Sequence, residues 1–480
     1  MKVLQAASEV FPYSKTGGLA DMVSGLSKSL AASGVSTDVV TPLYRGIREK
    51  VEGLEDWGTL EIPMGGGTGP ASILRCGPAD NLSVYFVDAP GYYDRKGIYN
   101  EDGSDYADNA ERYVYFSKCA TELARRLSVD IVHAHDWQTG LVPALIGHQA
   151  AEGKWDRAPK VCFSIHNLVY QGIFPYEEFQ KTGLPHDYFH FERLEYFGQM
   201  NCLKGGIALA DWISTVSPTY AREITTAAFG ATLENVLRAR RDRLGGILNG
   251  VDYEEWKTIG NPHLSFDYKL GNLRGKGLQK KSLQKEFGLP QDARIPLFGS
   301  VTRLDPNQKG IDILLEALKS GAGESFQFVL LGSGDKEFET AFSELAAENP
   351  ERFGARIGYD HSLAHRIEAG CDFFLMPSRY EPCGLNQMYS LRYGTIPVVR
   401  GVGGLEDSVV EFHEDPELAN GLKFTDYSSE ALAKCIRRAQ IIYENPRLLK
   451  RLRSAGMRAD HSWNRTAKAY RDLYDRIRRS

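Results

Sequence analysis

Short runs rich in β-branched residues recur along this chain, each separated from the next by a stretch with apolar residues at helical spacing. In the first half they fall at residues 37–41, 84–88, 130–134, 160–165, 212–216 and 246–249. Strands alternating with helices imply a parallel sheet covered on both faces. A polar stretch rich in Gly and Lys, about residues 268–284, interrupts the rhythm. It then restarts at 295–301, 326–332, 373–377 and 396–400, which marks a second α/β domain beginning near residues 250–260. Ligands of open α/β sheets sit beyond the carboxyl ends of the strands. Two doubly wound, Rossmann-like domains facing each other would therefore build a deep cleft from both sets of strand ends.

Composition removes several functions. With 480 residues, 42% of them hydrophobic, the chain can bury the cores of two or three domains. A net charge of −5 without a long basic block speaks against nucleic-acid binding. The cysteines, Cys76, Cys119, Cys162, Cys202, Cys371, Cys383 and Cys435, are odd in number and form no Cys-x-x-Cys pair, so neither a zinc site nor a disulfide framework is expected. No run approaches the roughly 18 apolar residues of a membrane span, and Glu9 follows the short apolar start. Neither membrane nor signal peptide is expected, and the protein reads as cytoplasmic. Near the C-terminus, Trp463, Ala467, Tyr470, Leu473, Tyr474 and Ile477 share one face of an amphipathic helix, read as packing on its own protein.

Five strings carry chemistry. After the first apolar run stands Lys15-Thr16-Gly17-Gly18-Leu19-Ala20-Asp21, a strand–loop–helix junction. There glycines, helix amides and an ammonium could receive a phosphate. His133-Ala134-His135-Asp136-Trp137 and Ile165-His166-Asn167 each close a strand. Histidines two apart could suggest a metal, but one of any adjacent strand pair points away and no third ligand sits at suitable spacing. Thr302-Arg303-Leu304-Asp305-Pro306-Asn307-Gln308-Lys309-Gly310 follows a strand of the second half. A guanidinium fork and a compact ammonium there suit a diphosphate. In Pro377-Ser378-Arg379-Tyr380-Glu381-Pro382-Cys383-Gly384-Leu385-Asn386-Gln387, Glu381 is expected at the mouth of the cleft, with free amides at the helix start behind it. Gly403-Gly404 opens another helix, and Cys383 has no histidine neighbour in sequence to make it a nucleophile. No Asp-x-Asp pair occurs, so no metal or cofactor is expected.

The Lys-Thr-Gly-Gly-Leu-Ala-Asp and Glu-Pro-Cys-Gly-Leu-Asn-Gln strings, with Leu248-Asn249-Gly250-Val251-Asp252 and the histidine strings, resemble the bacterial glycogen synthases and plant starch synthases over essentially the whole length. The resemblance implies a GT-B fold, with residues 1–252 as the acceptor-side domain, 253–458 as the nucleotide-sugar domain and 459–480 as a helix crossing back. It implies transfer of glucose from ADP-glucose to the non-reducing 4-OH of an α-1,4-glucan, with retention. On this basis Glu381, His166 (through its carbonyl), Arg303, Lys309 and Asp136 would be catalytic. Lys15, Gly17, Gly18, Tyr93, Asn167, Asn249, Tyr359 (stacked on the base), Cys383, Gly384, Leu385 and Asn386 would bind substrate. Tyr389 stands where many related transferases carry a second glutamate. The sequence departs from the family pattern at Gln138 and by one extra residue between Arg303 and Lys309.

Rival readings are a retaining transferase using UDP-glucose or a sucrose or lipid acceptor, a Rossmann dehydrogenase, and a non-catalytic glucan-binding module. The dehydrogenase lacks a complete Gly-x-Gly-x-x-Gly, since Gly332-Ser333-Gly334 has no third glycine. Only aromatics such as Tyr92, Tyr93, Tyr99 and Tyr106 favour the module.

Overall fold

The computed structural model describes residues 1–64, 67–320 and 325–479. The chain divides into two compact units, Met1–Gly250 with Trp463–Ser480, and Val251–Ser462.

In the first unit, the sheet comprises β1 (Lys2–Ala6), β2 (Ser36–Pro42), β3 (Glu55–Met64), β4 (Gly67–Ala79), β5 (Leu82–Asp88), β6 (Ile131–His135), β7 (Lys160–Ile165), β8 (Trp212–Thr215) and β9 (Leu244–Gly246). Their spatial order is β9-β8-β7-β6-β1-β2-β5-β4-β3. From β9 to β5 every pairing is parallel, for example Val3 beside Thr37 and Ile131. These central strands are buried almost throughout, as a sheet covered on both faces must be. β3 and β4 pair antiparallel, and β3 alternates between exposed and buried residues over its second half. That hairpin went unread because its sequence is interrupted by Gly and Pro. The last strand lies at Leu244–Gly246 rather than 246–249. Thr215, the end of its neighbour β8, pairs with Gly246, so the ladder stops there.

The chain runs from β1 outward through β2 to β5, then returns across β1 to start the other half at β6. The order therefore reverses between β1 and β6, and the loops leaving these two strands flank the switch point where ligands of doubly wound sheets bind. The helix Gly18–Ala32 begins in one of those loops. The helix Trp463–Arg479 belongs to this unit and buries Tyr470, Leu473, Tyr474 and Ile477. The Tyr474 hydroxyl lies 2.7 Å from His133 Nδ1, and Ser29 Oγ donates to Asn464 at 2.8 Å. Gly25 leaves room for Trp463, whose ring a Cβ there would meet at 2.1 Å.

In the second unit, β10 (Leu297–Leu304), β11 (Gln327–Gly334), β12 (Phe353–Ile357), β13 (Phe373–Met376), β14 (Ile396–Arg400) and β15 (Leu422–Phe424) lie in the order β12-β11-β10-β13-β14-β15, all parallel. Here the reversal falls between β10 and β13. The loops after these strands are the Arg303–Lys309 and Glu381 strings. They touch backbone to backbone: Gly310 has φ +66°, and a Cβ on it would sit 1.9 Å from the Pro377 carbonyl oxygen. Among the described residues, no helix is long and apolar enough to cross a membrane.

Candidate active site

The loop after β1 differs from the bare cradle of amides and ammonium read from the sequence. Glu9 is buried, and its carboxylate accepts bonds from Thr16 Oγ1 at 2.6 Å, from the Gly17 amide at 3.3 Å and from the Thr16 amide. Tyr99 adds its hydroxyl at 2.6 Å. The loop is folded around an acidic side chain, because a buried carboxylate must find hydrogen-bond donors. Lys15 lies 2.8 Å from Asp21, with its side chain 42% exposed. Gly17 and Gly18 remain at the helix start, and a Cβ on Gly17 would meet nothing within 4 Å. Open space in front of Gly17 leaves the loop approachable.

At the ends of β6 and β7 the histidines form a contiguous row. His133 and His135, two apart on one strand, share a face with their rings 4.1 Å apart, so they do not diverge as an adjacent pair would. His133 is satisfied by Tyr474 and by Ser164 Oγ at 2.6 Å. His135 meets Gln5 at 2.8 Å and His166 Nε2 at 3.0 Å. Burial keeps all three neutral, pushing His166 down to about 3.

Asp136 carries φ +55° and ψ −175°, a backbone region that costs a non-glycine residue about 1–3 kcal/mol. Its Oδ1 accepts the His166 amide at 2.7 Å. Burial pushes its carboxyl up to about 7, against the pull of the His166 and Asn167 amides. A strained, half-buried carboxyl beside a neutral imidazole at a switch point is an arrangement associated with function rather than packing. Asn167 Oδ1 holds the Val169 amide at 3.2 Å. Asn249 is buried, and its Oδ1 has no partner among the described residues.

Tyr93 requires a correction. It is 0% exposed, its hydroxyl donates to the Arg112 carbonyl at 2.8 Å, and its ring lies against Tyr44. It is a core residue without surface to offer a substrate. Sequence could not separate it from its half-buried neighbour Tyr92, since both sit in one short helical turn.

In the second unit, Lys309 and Glu381 meet across the switch point. Lys309 Nζ lies 2.8 and 3.0 Å from the two carboxylate oxygens of Glu381, and Ser378 Oγ donates to the same carboxylate at 2.9 Å. Glu381 is therefore not standing in the open as expected; its side chain is 6% exposed. The extra residue in the preceding loop is absorbed by a turn. Asp305 accepts the Asn307 amide on its side chain and the Lys309 amide on its carbonyl, both at 2.9 Å, which turns Asn307 out to solvent. Arg303 is exposed and donates to Gln308 Oε1 at 2.8 Å.

Behind Glu381 the backbone is crowded. A Cβ on Gly403 (φ +46°) would lie 1.9 Å from the Glu381 carbonyl oxygen, and one on Gly404 would lie 2.0 Å from that of Cys383. Gly384, at φ +69°, supplies the left-handed turn before the helix Asn386–Tyr393, whose N-cap is Leu385. Cys383 is buried by these contacts. Asn386 Nδ2 donates to the Val301 carbonyl at 3.2 Å. Tyr389 stacks on Trp256 with centroids 3.7 Å apart. Tyr359 stands 79% exposed after β12.

Two further residues shape these sites: Ser378, inside the string that holds Glu381, and Glu9, which stands between β1 and the Lys15 string. Their position directly after β1 and β13 was the available signal.

Comparison with known proteins identifies the fold and the family. Residues 2–239 match the family described as the starch synthase catalytic domain, and residues 281–458 match glycosyl transferases group 1. The sucrose-phosphate synthase of Thermosynechococcus elongatus shares the fold, with a TM-score of 0.61 at 18% identity over 99% of this chain and 98% of that one. The fold is GT-B and the enzyme class is glycosyltransferase, more narrowly hexosyltransferase. The catalytic domain of Starch Synthase IV from Arabidopsis thaliana, bound to ADP and acarbose, has a TM-score of 0.90 at 32% identity, covering 100% of this chain and 99% of that one. A glycogen synthase of Anaeromyxobacter dehalogenans (strain 2CP-1 / ATCC BAA-258) is 46% identical over 99% of this chain and 98% of its own length. One from Koribacter versatilis (strain Ellin345) is 42% identical over 100% and 98%. The chain belongs to the glycogen and starch synthase family.

Proposed function

We propose that the enzyme transfers glucose from ADP-glucose to the 4-OH at the non-reducing end of an α-1,4-glucan, retaining the anomeric configuration and releasing ADP in the cytoplasm. The observation that carries this reading is the Lys309–Glu381 pair at the second unit's switch point. Departure of a diphosphate builds negative charge on the leaving group and positive charge on the sugar ring. Lys309 and Arg303 offer cations to the first. Glu381 offers a carboxylate to the second and to the glucose hydroxyls. Gly403 and Gly404 at a helix start, and Gly384, bring backbone close to the phosphate and sugar, and Tyr359 stacks on the base. On the first unit, Lys15, Gly17 and Gly18 approach the donor, while Asp136, Asn167, Asn249 and the His166 carbonyl line the place of the transferred glucose.

ADP bound to the Arabidopsis enzyme supports ADP-glucose as the donor. Catalysis is metal-independent in this scheme, because Lys309 and Arg303 supply the charge a divalent ion would. The test is a donor competition on glycogen, reading nucleotide release and chain growth, with initial rates repeated in EDTA. ADP-glucose should be preferred and EDTA should leave the rate unchanged. Preference for UDP-glucose, or loss of rate that Mg²⁺ restores, would overturn the corresponding part.

A further inference from the structure

Beside the helix Asn386–Tyr393, the second unit brings together His263, His361 and His365, with one ring nitrogen of each within 4.8 Å of the others. His361 and His365 lie one turn apart on the helix His361–Gly370, so they share a face. His263 arrives from the segment that follows the start of the unit. That segment is pinned by Asn261, whose amide donates to the Glu255 and Lys257 carbonyls at 2.8 and 3.0 Å and to the Tyr393 hydroxyl at 3.0 Å.

His365 makes the cluster more than a surface coincidence. It is 0% exposed, its ring stacks on Trp256 at 4.0 Å, and its Nδ1 lies 2.7 Å from the Tyr393 hydroxyl. Its Nε2 has no partner among the described residues. A buried polar nitrogen left unpaired is costly, and burial holds this imidazole in the neutral form a metal needs. The other two rings each have one nitrogen engaged from outside: His263 Nδ1 is 2.9 Å from Ser362 Oγ, and His361 Nε2 is 3.3 Å from the Glu255 carboxylate. Hydroxyl and carboxylate partners on one nitrogen of each ring are the usual outer support of metal-ligating histidines.

We propose that His263, His361 and His365 bind a divalent transition-metal ion, zinc above all, which clips the segment carrying Trp256 and His263 to the start of the helix His361–Gly370. Three imidazoles favour zinc over the oxygen-seeking magnesium and calcium. Zinc–nitrogen bonds of about 2.0–2.1 Å require the nitrogens to close to roughly 3.4 Å, which small rotations of the half-buried His263 and His361 rings supply. Water takes the fourth position. The expectation of no metal anywhere rested on spacing along the chain, which does not see a ligand brought in from a distant segment. The ion takes no part in the proposed transfer step, although His361 follows Tyr359 closely in the chain and Trp256 stacks on both His365 and Tyr389.

The test uses the purified full chain, stripped with chelator and titrated with Zn²⁺ by calorimetry and with Co²⁺ by visible absorption. One ion per chain should bind, with the absorption of tetrahedral cobalt. At a hundredfold excess over its dissociation constant, Zn²⁺ should raise the melting temperature by about 5–10 °C. His263→Ala and His361→Gln should abolish both signals while keeping native circular dichroism. His413→Ala, at an exposed histidine elsewhere, should change neither. Absence of stoichiometric binding, or binding that survives both cluster variants, would overturn the proposal.

Discussion

Replacing Lys309 with alanine tests the second unit's site at two levels. The ammonium is 2.8 Å from a carboxylate that is only 6% exposed, and its removal leaves Glu381 with Ser378 Oγ as its hydrogen-bond donor among the described residues. Breaking a buried ion pair from one side costs about 3–5 kcal/mol, because the survivor stays uncompensated in a poorly solvated place. Lys309 is 19% exposed, so water already shares in the pair and the lower end applies, about 3 kcal/mol. For a unit of this size that is a fall of roughly 6–12 °C in melting temperature. Turnover has a separate cause. Losing one donor to the developing charge of the leaving group costs about 2.7–4 kcal/mol, a hundred- to thousand-fold in rate. The double variant Lys309→Met with Glu381→Gln removes both charges, so it should recover most of the melting temperature and none of the rate. Scanning calorimetry and initial-rate assays on the single and double variants read the two effects apart. Near-normal turnover in Lys309→Ala would mean that another cation meets the phosphate. An unchanged melting temperature would refute the buried-pair argument.

The two glycine loops should respond in opposite ways. Gly403→Ala, with φ +46° and a Cβ 1.9 Å from the Glu381 carbonyl, should lower the melting temperature and abolish activity. Gly17→Ala, facing open space, should fold normally and raise KM for the donor; normal stability in the first or a normal KM in the second would contradict these placements. Asp136 titrates at about 7 in the fold against an ordinary 3.8, so its contribution to stability is complete below about pH 4 and is lost as pH rises through 7. Asp136→Asn should therefore gain melting temperature relative to the parent between pH 4 and pH 8, and a difference independent of pH would refute the shift. Tyr359→Ala should raise KM for the donor while leaving the melting temperature within error, since the ring is 79% exposed. An unchanged KM would remove it from the base.

Parallel α/β architecture and family membership were both legible in the sequence. Alternating apolar runs and helical periods are local properties, and so are the glycine and proline signals that bound them. β7 and β14 lie where the runs predict, because a strand buried on both faces shows itself as a continuous apolar run. Edge elements were less visible. The β3–β4 hairpin is half solvated, and β9 and β15 are three residues long, too short for any period to register.

The site divided in the same way. The strings containing Lys15, Asp136, His166, Lys309 and Glu381 stood out one by one, each as a loop that follows a strand. Their electrostatic state was set by residues far away in sequence. Glu9 folds back seven and eight residues to take the amides of Thr16 and Gly17. Glu381 meets Lys309 from 72 positions away. Tyr93 disappears under Arg112, and His263 joins a helix that begins about a hundred residues later. Sequence by itself determined which groups stand at strand ends, because chain order and side-chain period are written locally. Which of those groups are buried, paired or left without a partner was decided only in three dimensions. Desolvation and Coulomb attraction depend on distance in space, and chain separation does not encode it.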